Sequence, residues 1–183
     1  SRIRVRLPML DAETGGVWAR VAAFDAGAGR GAFFRPELND EVIIGFVQDD
    51  PRSPVVLGML HSSQNPAPFE AASDNNEKGF VSRNGIRLVF HEEQGAVTLQ
   101  TPKGNAIILS DENNGILLED QHGNRIEMNE KGITLSSKKD IKADAQSNCT
   151  LSAQQQLKAA SNGNAQFSAG AIAEIKGSLV KIN

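Results

Sequence analysis

An apolar, any, apolar triplet that returns every eight residues constrains this chain more than any other feature. The triplets are Ile133-Thr134-Leu135, Ile141-Lys142-Ala143, Cys149-Thr150-Leu151, Leu157-Lys158-Ala159, Ala165-Gln166-Phe167 and Ala173-Glu174-Ile175. A fixed short period marks a repeat architecture in which one small unit stacks on the next. In an extended strand the two apolar side chains of a triplet share one face, and the middle residue points to the other. Each octad therefore has a dry side and a wet side.

A lone ribbon of octads cannot keep that dry side dry. Several inward residues are small, Ala143, Ala159, Ala165 and Ala173 among them. Apolar burial returns about 25 cal/mol per Å², whereas ordering each residue costs roughly 1–2 kcal/mol, so a lone ribbon of octads does not stay folded. The missing core comes either from a single-chain parallel β-helix with three octads per coil or from several chains wound about a common axis. Small inward residues suit the narrow axis, so the expectation is an intertwined trimer. Its predicted core is Ile133, Leu135, Ile141, Ala143, Cys149, Leu151, Leu157, Ala159, Ala165, Phe167, Ala173 and Ile175. Cys149, the single cysteine, is read there as a small buried hydrophobe.

Looser copies of the triplet lie upstream at Val97/Leu99, Ile107/Leu109, Ile116/Leu118 and Ile126/Met128. Between them sit Pro102-Lys103-Gly104-Asn105, Asn113-Asn114-Gly115, His122-Gly123-Asn124 and Glu130-Lys131-Gly132, residues that accept the positive φ of a sharp corner. The predicted needle spans 81–183, built from repeats of eight to ten residues. Residues 61–80, rich in Pro, Asn and charge, are the expected linker before it.

The first 60 residues differ in kind, for the only tryptophan and most of the phenylalanines lie in the first half of the chain. Short alternating runs at Ile3–Leu7, Val17–Val21, Gly31–Phe34, Glu41–Val47 and Pro54–Leu60, separated by turn signals, predict five strands and an OB-type barrel over 1–60, with an SH3-like barrel as the alternative. The fold class is thus all-β: a small barrel followed by a triangular β-prism. Trp18, Phe33, Phe34, Arg20, Arg30 and Arg35 have the residue types of an oligonucleotide-binding face. A net charge of −3 opposes that reading and favours core aromatics with solvated arginines.

The runs Arg2-Ile3-Arg4-Val5-Arg6-Leu7-Pro8, Trp18-Ala19-Arg20-Val21-Ala22, Gly27–Phe34, Asn39-Asp40-Glu41-Val42 and Asp50–Gly58, followed by Asn65-Pro66-Ala67-Pro68, resemble the VgrG spikes of type VI secretion and the baseplate spikes of contractile phage tails. The resemblance implies a barrel on a homotrimeric β-helical needle. It also implies a baseplate hub and inner tube joined through an upstream region missing from this sequence, associated effectors, and a PAAR-type tip protein. The needle is expected to assemble in the bacterial cytoplasm and then to be expelled through a target membrane. The tip protein is expected on the open edge at Ser178, Leu179, Val180, Lys181, Ile182 and Asn183. The chain starts inside a strand-like run without Met, as a piece of a longer protein would. It also lacks the frequent Val-Gly dipeptides of the family.

No catalytic, cofactor or metal site is expected. His61, His91 and His122 match no metal-ligand spacing. Glu92-Glu93, Asp111-Glu112, Glu119-Asp120 and Asp49-Asp50 are neighbours that cannot face one another as a glycosidase pair does. The competing readings are a carbohydrate-active single-chain β-helix enzyme and an OB-fold nucleic-acid binder.

Overall fold

The computed structural model describes residues 2–7 and 15–182. Among these the chain is all-β, with one 3-10 turn at Val47–Asp49, and it divides between Lys138 and Lys139 into two compact units.

The first unit opens with β1 (Arg2–Val5) and β2 (Val17–Val21), an antiparallel pair that sets Ile3 against Ala19 and Val5 against Val17. A minimal ribbon follows, β3 (Ala26–Gly27) with β4 (Arg30–Gly31). Then β5 (Glu41–Phe46) and β6 (Pro54–Leu60) complete a sheet ordered β1-β2-β6-β5, with β2 and β6 parallel. A bulge between Ile43 and Ile44 bends β5. Alternation does here what the sequence predicts. Val5, Ala19 and Val56 are buried, and Ile3, Val21, Val42 and Ile44 pack on them, while Arg2, Arg4 and Arg20 take the other face.

The strand expected at Gly31–Phe34 does not form. Gly31 turns with φ 127, the Ala32 amide donates back to the Asp25 carbonyl at 2.9 Å, and Pro36 has no N–H for a ladder. Phe33 and Phe34 are consequently exposed in a loop rather than set in a sheet core. Phe34 stacks on Phe80, with ring centroids 5.6 Å apart, and Glu37 in the same loop pairs with Arg83 at 2.9 Å.

The second sheet is a seven-stranded antiparallel meander in chain order. Its strands are β7 (Glu77–Val81), β8 (Arg87–His91), β9 (Ala96–Gln100), β10 (Ala106–Ser110), β11 (Gly115–Glu119), β12 (Arg125–Asn129) and β13 (Gly132–Ser136). Gly85, Gly104 and Gly123 turn the chain with φ of 80, 90 and 79. They lie 19 residues apart, one hairpin per step, and each follows by three residues a side-chain acceptor, Ser82, Thr101 or Asp120. Those acceptors close the turns: Ser82 Oγ takes the Ile86 amide at 3.0 Å, Thr101 Oγ1 the Asn105 amide at 3.2 Å, and Asp120 Oδ1 the Asn124 amide at 2.9 Å.

The second unit is built differently. Among the described residues 140–182 there is no strand, and the extended chain bends sharply at 138–139, 146–147, 154–155, 162–163, 170–171 and 178–179. The eight-residue step of the triplets is thus the step of the backbone. Each bend begins three residues after the second apolar position of its triplet.

Candidate functional site

The candidate site is the apolar surface that the chain leaves uncovered. Across the meander, register gathers the triplets into two rows. Leu88, Leu99, Ile107, Leu118, Ile126 and Leu135 stand opposite one another from strand to strand, as do Phe90, Val97, Leu109, Ile116, Met128 and Ile133. Opposed residues in a ladder share one face, so this face is apolar from β8 to β13. Phe80 extends the first row on β7. It is nevertheless open: Phe80, Phe90, Leu99, Ile107, Leu109, Ile116, Ile126 and Leu135 are all exposed, and Ile133 retains 75% of its surface.

The octads carry the same chemistry without any ladder. Ile141, Leu151, Leu157, Phe167 and Ile175 are exposed, Phe167 at 86%, and Cys149 is exposed with them. The extended backbone of 140–182 has amide and carbonyl groups that no strand of the described chain pairs. A single-chain coil of three octads would pair each octad with the one 24 residues on, and no such ladder is present among the described residues. An added chain would supply strand partners for these groups and cover for the apolar side chains together.

Area states the deficit for the whole chain. A compact protein of 19.6 kDa exposes about 8,600 Å², whereas this chain exposes 16525 Å². Among the described residues just five apolar side chains are buried: Val5, Ala19, Val56, Val89 and Ala96. From Ile141 to Ile175 each triplet pairs one large side chain with one small: Ile141 with Ala143, Leu151 with Cys149, Leu157 with Ala159, Phe167 with Ala165, Ile175 with Ala173. The large member moves between the first and third positions, as layers stacked on a narrow axis require to interdigitate at constant width.

At the distal edge, Ser178 and Leu179 form the last bend, and Leu179, Val180 and Ile182 are exposed beside Lys181. Asn183 lies outside the described residues, as does Pro8. Val180-Lys181-Ile182 is a further apolar, any, apolar triplet that begins seven residues after Ala173 rather than eight. The corner before it is therefore one residue shorter than the others.

The other residues singled out in the sequence stay apart. His61 follows the end of β6, His91 ends β8 with Nδ1 3.6 Å from Glu77 Oε1, and His122 sits in the turn between β11 and β12. No metal-binding group of His, Cys, Asp and Glu is found among the described residues. Glu92-Glu93 and Asp111-Glu112 occupy turns, and Asp50 is held below the ordinary carboxylate range chiefly by the Arg52 guanidinium. Of the aromatic and basic residues considered for nucleic acid, Trp18 and Arg20 share the outer face of β2, but Arg30 is bound by Asp25 at 2.7 Å and Phe34 by Phe80.

Two functional features escaped the sequence reading. Leu88-Val89-Phe90 is itself a triplet, 19 residues before Ile107-Ile108-Leu109, and the glycine period was its visible signal. The second is an amide device. Asn105 Nδ2 donates to Thr101 Oγ1 at 3.0 Å while its Oδ1 accepts the Gln121 amide of the next hairpin at 3.2 Å. Asn124 repeats it, with Nδ2 to Asp120 Oδ2 at 2.8 Å and Oδ1 accepting from Ser137 Oγ at 2.8 Å and the Lys138 amide at 3.1 Å. Each asparagine locks its own turn and ties it to the following one.

Comparison with known proteins matches residues 1–61 to the type VI secretion system/phage-baseplate injector OB domain, and residues 96–183 to the phage baseplate V C-terminal trimerisation domain. Similar curated proteins include the type VI secretion system spike protein VgrG1a of Pseudomonas aeruginosa, 29% identical over 39% of this chain and 11% of the relative. VgrG4b of the same organism is 34% identical over 36% of this chain and 8% of the relative. VgrG3 of Vibrio cholerae is 32% identical over 45% and 8%. The aligned stretch is thus about a tenth of the length of such relatives. The chain thus joins an injector OB domain to a phage baseplate V trimerisation domain whose apolar faces lie open in the single chain, and it is similar to the VgrG spike proteins of type VI secretion.

Proposed function

We propose that this chain is the structural spike segment of a contractile injection machine, three copies of which join into a rigid needle that punctures a target envelope. The observation that carries the reading is the octad unit, whose backbone and apolar residues have no partner strand in one chain and whose sequence matches a trimerisation domain. Three strands closing on one another satisfy every ladder bond, and that is the source of stiffness. Thr134, Lys142, Thr150, Lys158, Gln166 and Glu174 keep the outside wet.

The role is mechanical and not enzymatic. Assembly takes place in the bacterial cytoplasm, next to a hub and inner tube, and expulsion follows contraction. The edge at Ser178–Asn183 takes a PAAR-type tip protein, and effectors travel with it, because an open end of unpaired strand groups invites a cap. Light scattering on the purified chain tests the core of this proposal: a mass of three chains with an elongated scattering profile is expected, and a stable monomer refutes it. Co-elution with a tip protein that is lost on truncation after Gly177 is the expected result for the cap. Unchanged co-elution moves the cap elsewhere.

A further inference from the structure

We infer that the free edge of β1 is a docking site for an extended protein segment in which acidic and apolar residues alternate. The inference stands on the N-terminal sheet alone and does not depend on the spike reading. Two independent observations lead to it. First, among the described residues β1 pairs on one side only, with β2, so its second row of backbone donors and acceptors is open. An open edge is a template for one more strand.

Second, among the described residues the face beside that edge carries concentrated positive charge that no acid pairs. Arg2 stands directly opposite Arg20, and Arg4 directly opposite Trp18. Like charges placed opposite each other across a ladder destabilise the sheet. No ion pair of the described residues involves Arg2, Arg4 or Arg20. Among the described residues Arg4 Nε donates to the Gly16 carbonyl at 3.5 Å, and the Arg2 carbonyl receives Arg35 Nη2 at 3.5 Å, which adds a further cation. Arg6 continues the exposed alternation just past the strand. This occurs in a chain whose net charge is −3, so the patch is local and not a reflection of composition.

The edge and the face specify the same occupant. On an added strand, residues of one parity lie over Ile3 and Val5 and extend the small core, which calls for apolar side chains. Residues of the other parity fall beside Arg2 and Arg4, about 7 Å apart, which calls for carboxylates. Nucleic acid meets only the charge and leaves the apolar parity and the backbone edge unused.

Trp18, the only tryptophan, is 60% exposed on this face and reports on its occupancy. The experiment titrates the full chain with a peptide of alternating Val and Glu, about eight residues long as strands commonly are. A saturable blue shift of Trp18 emission is expected, weakening as salt is raised. Arg2→Glu with Arg4→Glu is expected to weaken binding by about tenfold or more, whereas Lys103→Glu in a distant turn leaves it unchanged. Arg20→Gln, which removes a repulsion and keeps the fold, serves if the double variant fails to fold, and a severalfold loss is expected of it. No response of Trp18 to the peptide overturns the inference. Equal binding by both Arg variants also overturns it, and so does tighter, parity-independent binding of a single-stranded oligonucleotide of the same charge.

Discussion

Leu157→Ala tests the shared core at its most informative layer. Leu157 is the large member of its triplet, with Ala159 beside it, and it keeps 66% of its surface in the single chain. Full burial of a leucine is worth about 1.5–3 kcal/mol, so the third of it covered within one chain accounts for less than about 1 kcal/mol. Where two further chains seal the layer, truncation loses the whole transfer term and leaves a cavity, about 2–5 kcal/mol per leucine. Three copies meet in one layer, which brackets the loss at about 6–15 kcal/mol per trimer, with departures from additivity because the three sites touch. Sedimentation equilibrium combined with thermal unfolding at several protein concentrations reads both association and stability. The variant is expected to unfold at lower temperature and to shift toward monomer on dilution. A loss below about 1 kcal/mol per chain refutes the shared core, because it equals what the single chain already buries.

Lys158→Thr, one residue away on the wet face, should change stability by no more than about 0.5 kcal/mol in the same assays. Gly79→Ala should be far more harmful than Gly104→Ala. The new methyl at Gly79 collides with the Leu88 carbonyl, whereas at Gly104 it meets open space and costs only the left-handed backbone at φ 90, about 1–2 kcal/mol. Asn124→Ala removes the acceptor shared by Ser137 and Lys138 together with the tie to Asp120, and a loss of about 1–3 kcal/mol with faster amide exchange at Lys138 is expected. Asp120 is held below the usual carboxylate range by the Asn124 amide, then by the Asn124 side chain, with a smaller part from the His122 amide. Its contribution is therefore fully present above an ordinary carboxylate pKa of about 4 and is lost as pH falls through the lower folded value. Unfolding followed from pH 6 downward should show an acid-side decline in the wild type that is blunted in Asp120→Asn. Identical profiles would exclude this turn as a source of acid sensitivity.

Local chemistry alone settled the step of the octads and the alternation that buries Val5, Ala19 and Val56. Each bend falls three residues beyond its triplet because the stretch between is small or polar and has no reason to stay extended. The resemblance of the first 68 residues to spike proteins was also legible, carried by short motifs such as Asp50–Gly58. Gly31–Phe34 misled because its apolar run looks like a strand, while Gly31 and Pro36 remove the backbone geometry and the donor that a ladder needs. The 19-residue hairpin was present in Gly85, Gly104 and Gly123 but is masked by triplets spaced at nine and ten.

Pairing was decided only in three dimensions. Alternation says which side chains want cover, and the same pattern serves a strand paired within its own chain or with another. Tertiary structure gives 77–136 its partners from the same chain and leaves 140–182 without any. The physical reason lies in the turns. Glycines at positive φ with Ser, Thr or Asp acceptors reverse the chain and return each strand to its neighbour, whereas the octad corners bend without reversing, so the next octad never meets the last. The same holds for Asn105 and Asn124, which look like ordinary turn residues until the fold brings the next hairpin's amide within reach. It holds also for Arg2 and Arg20, whose confrontation exists only once β1 and β2 are in register.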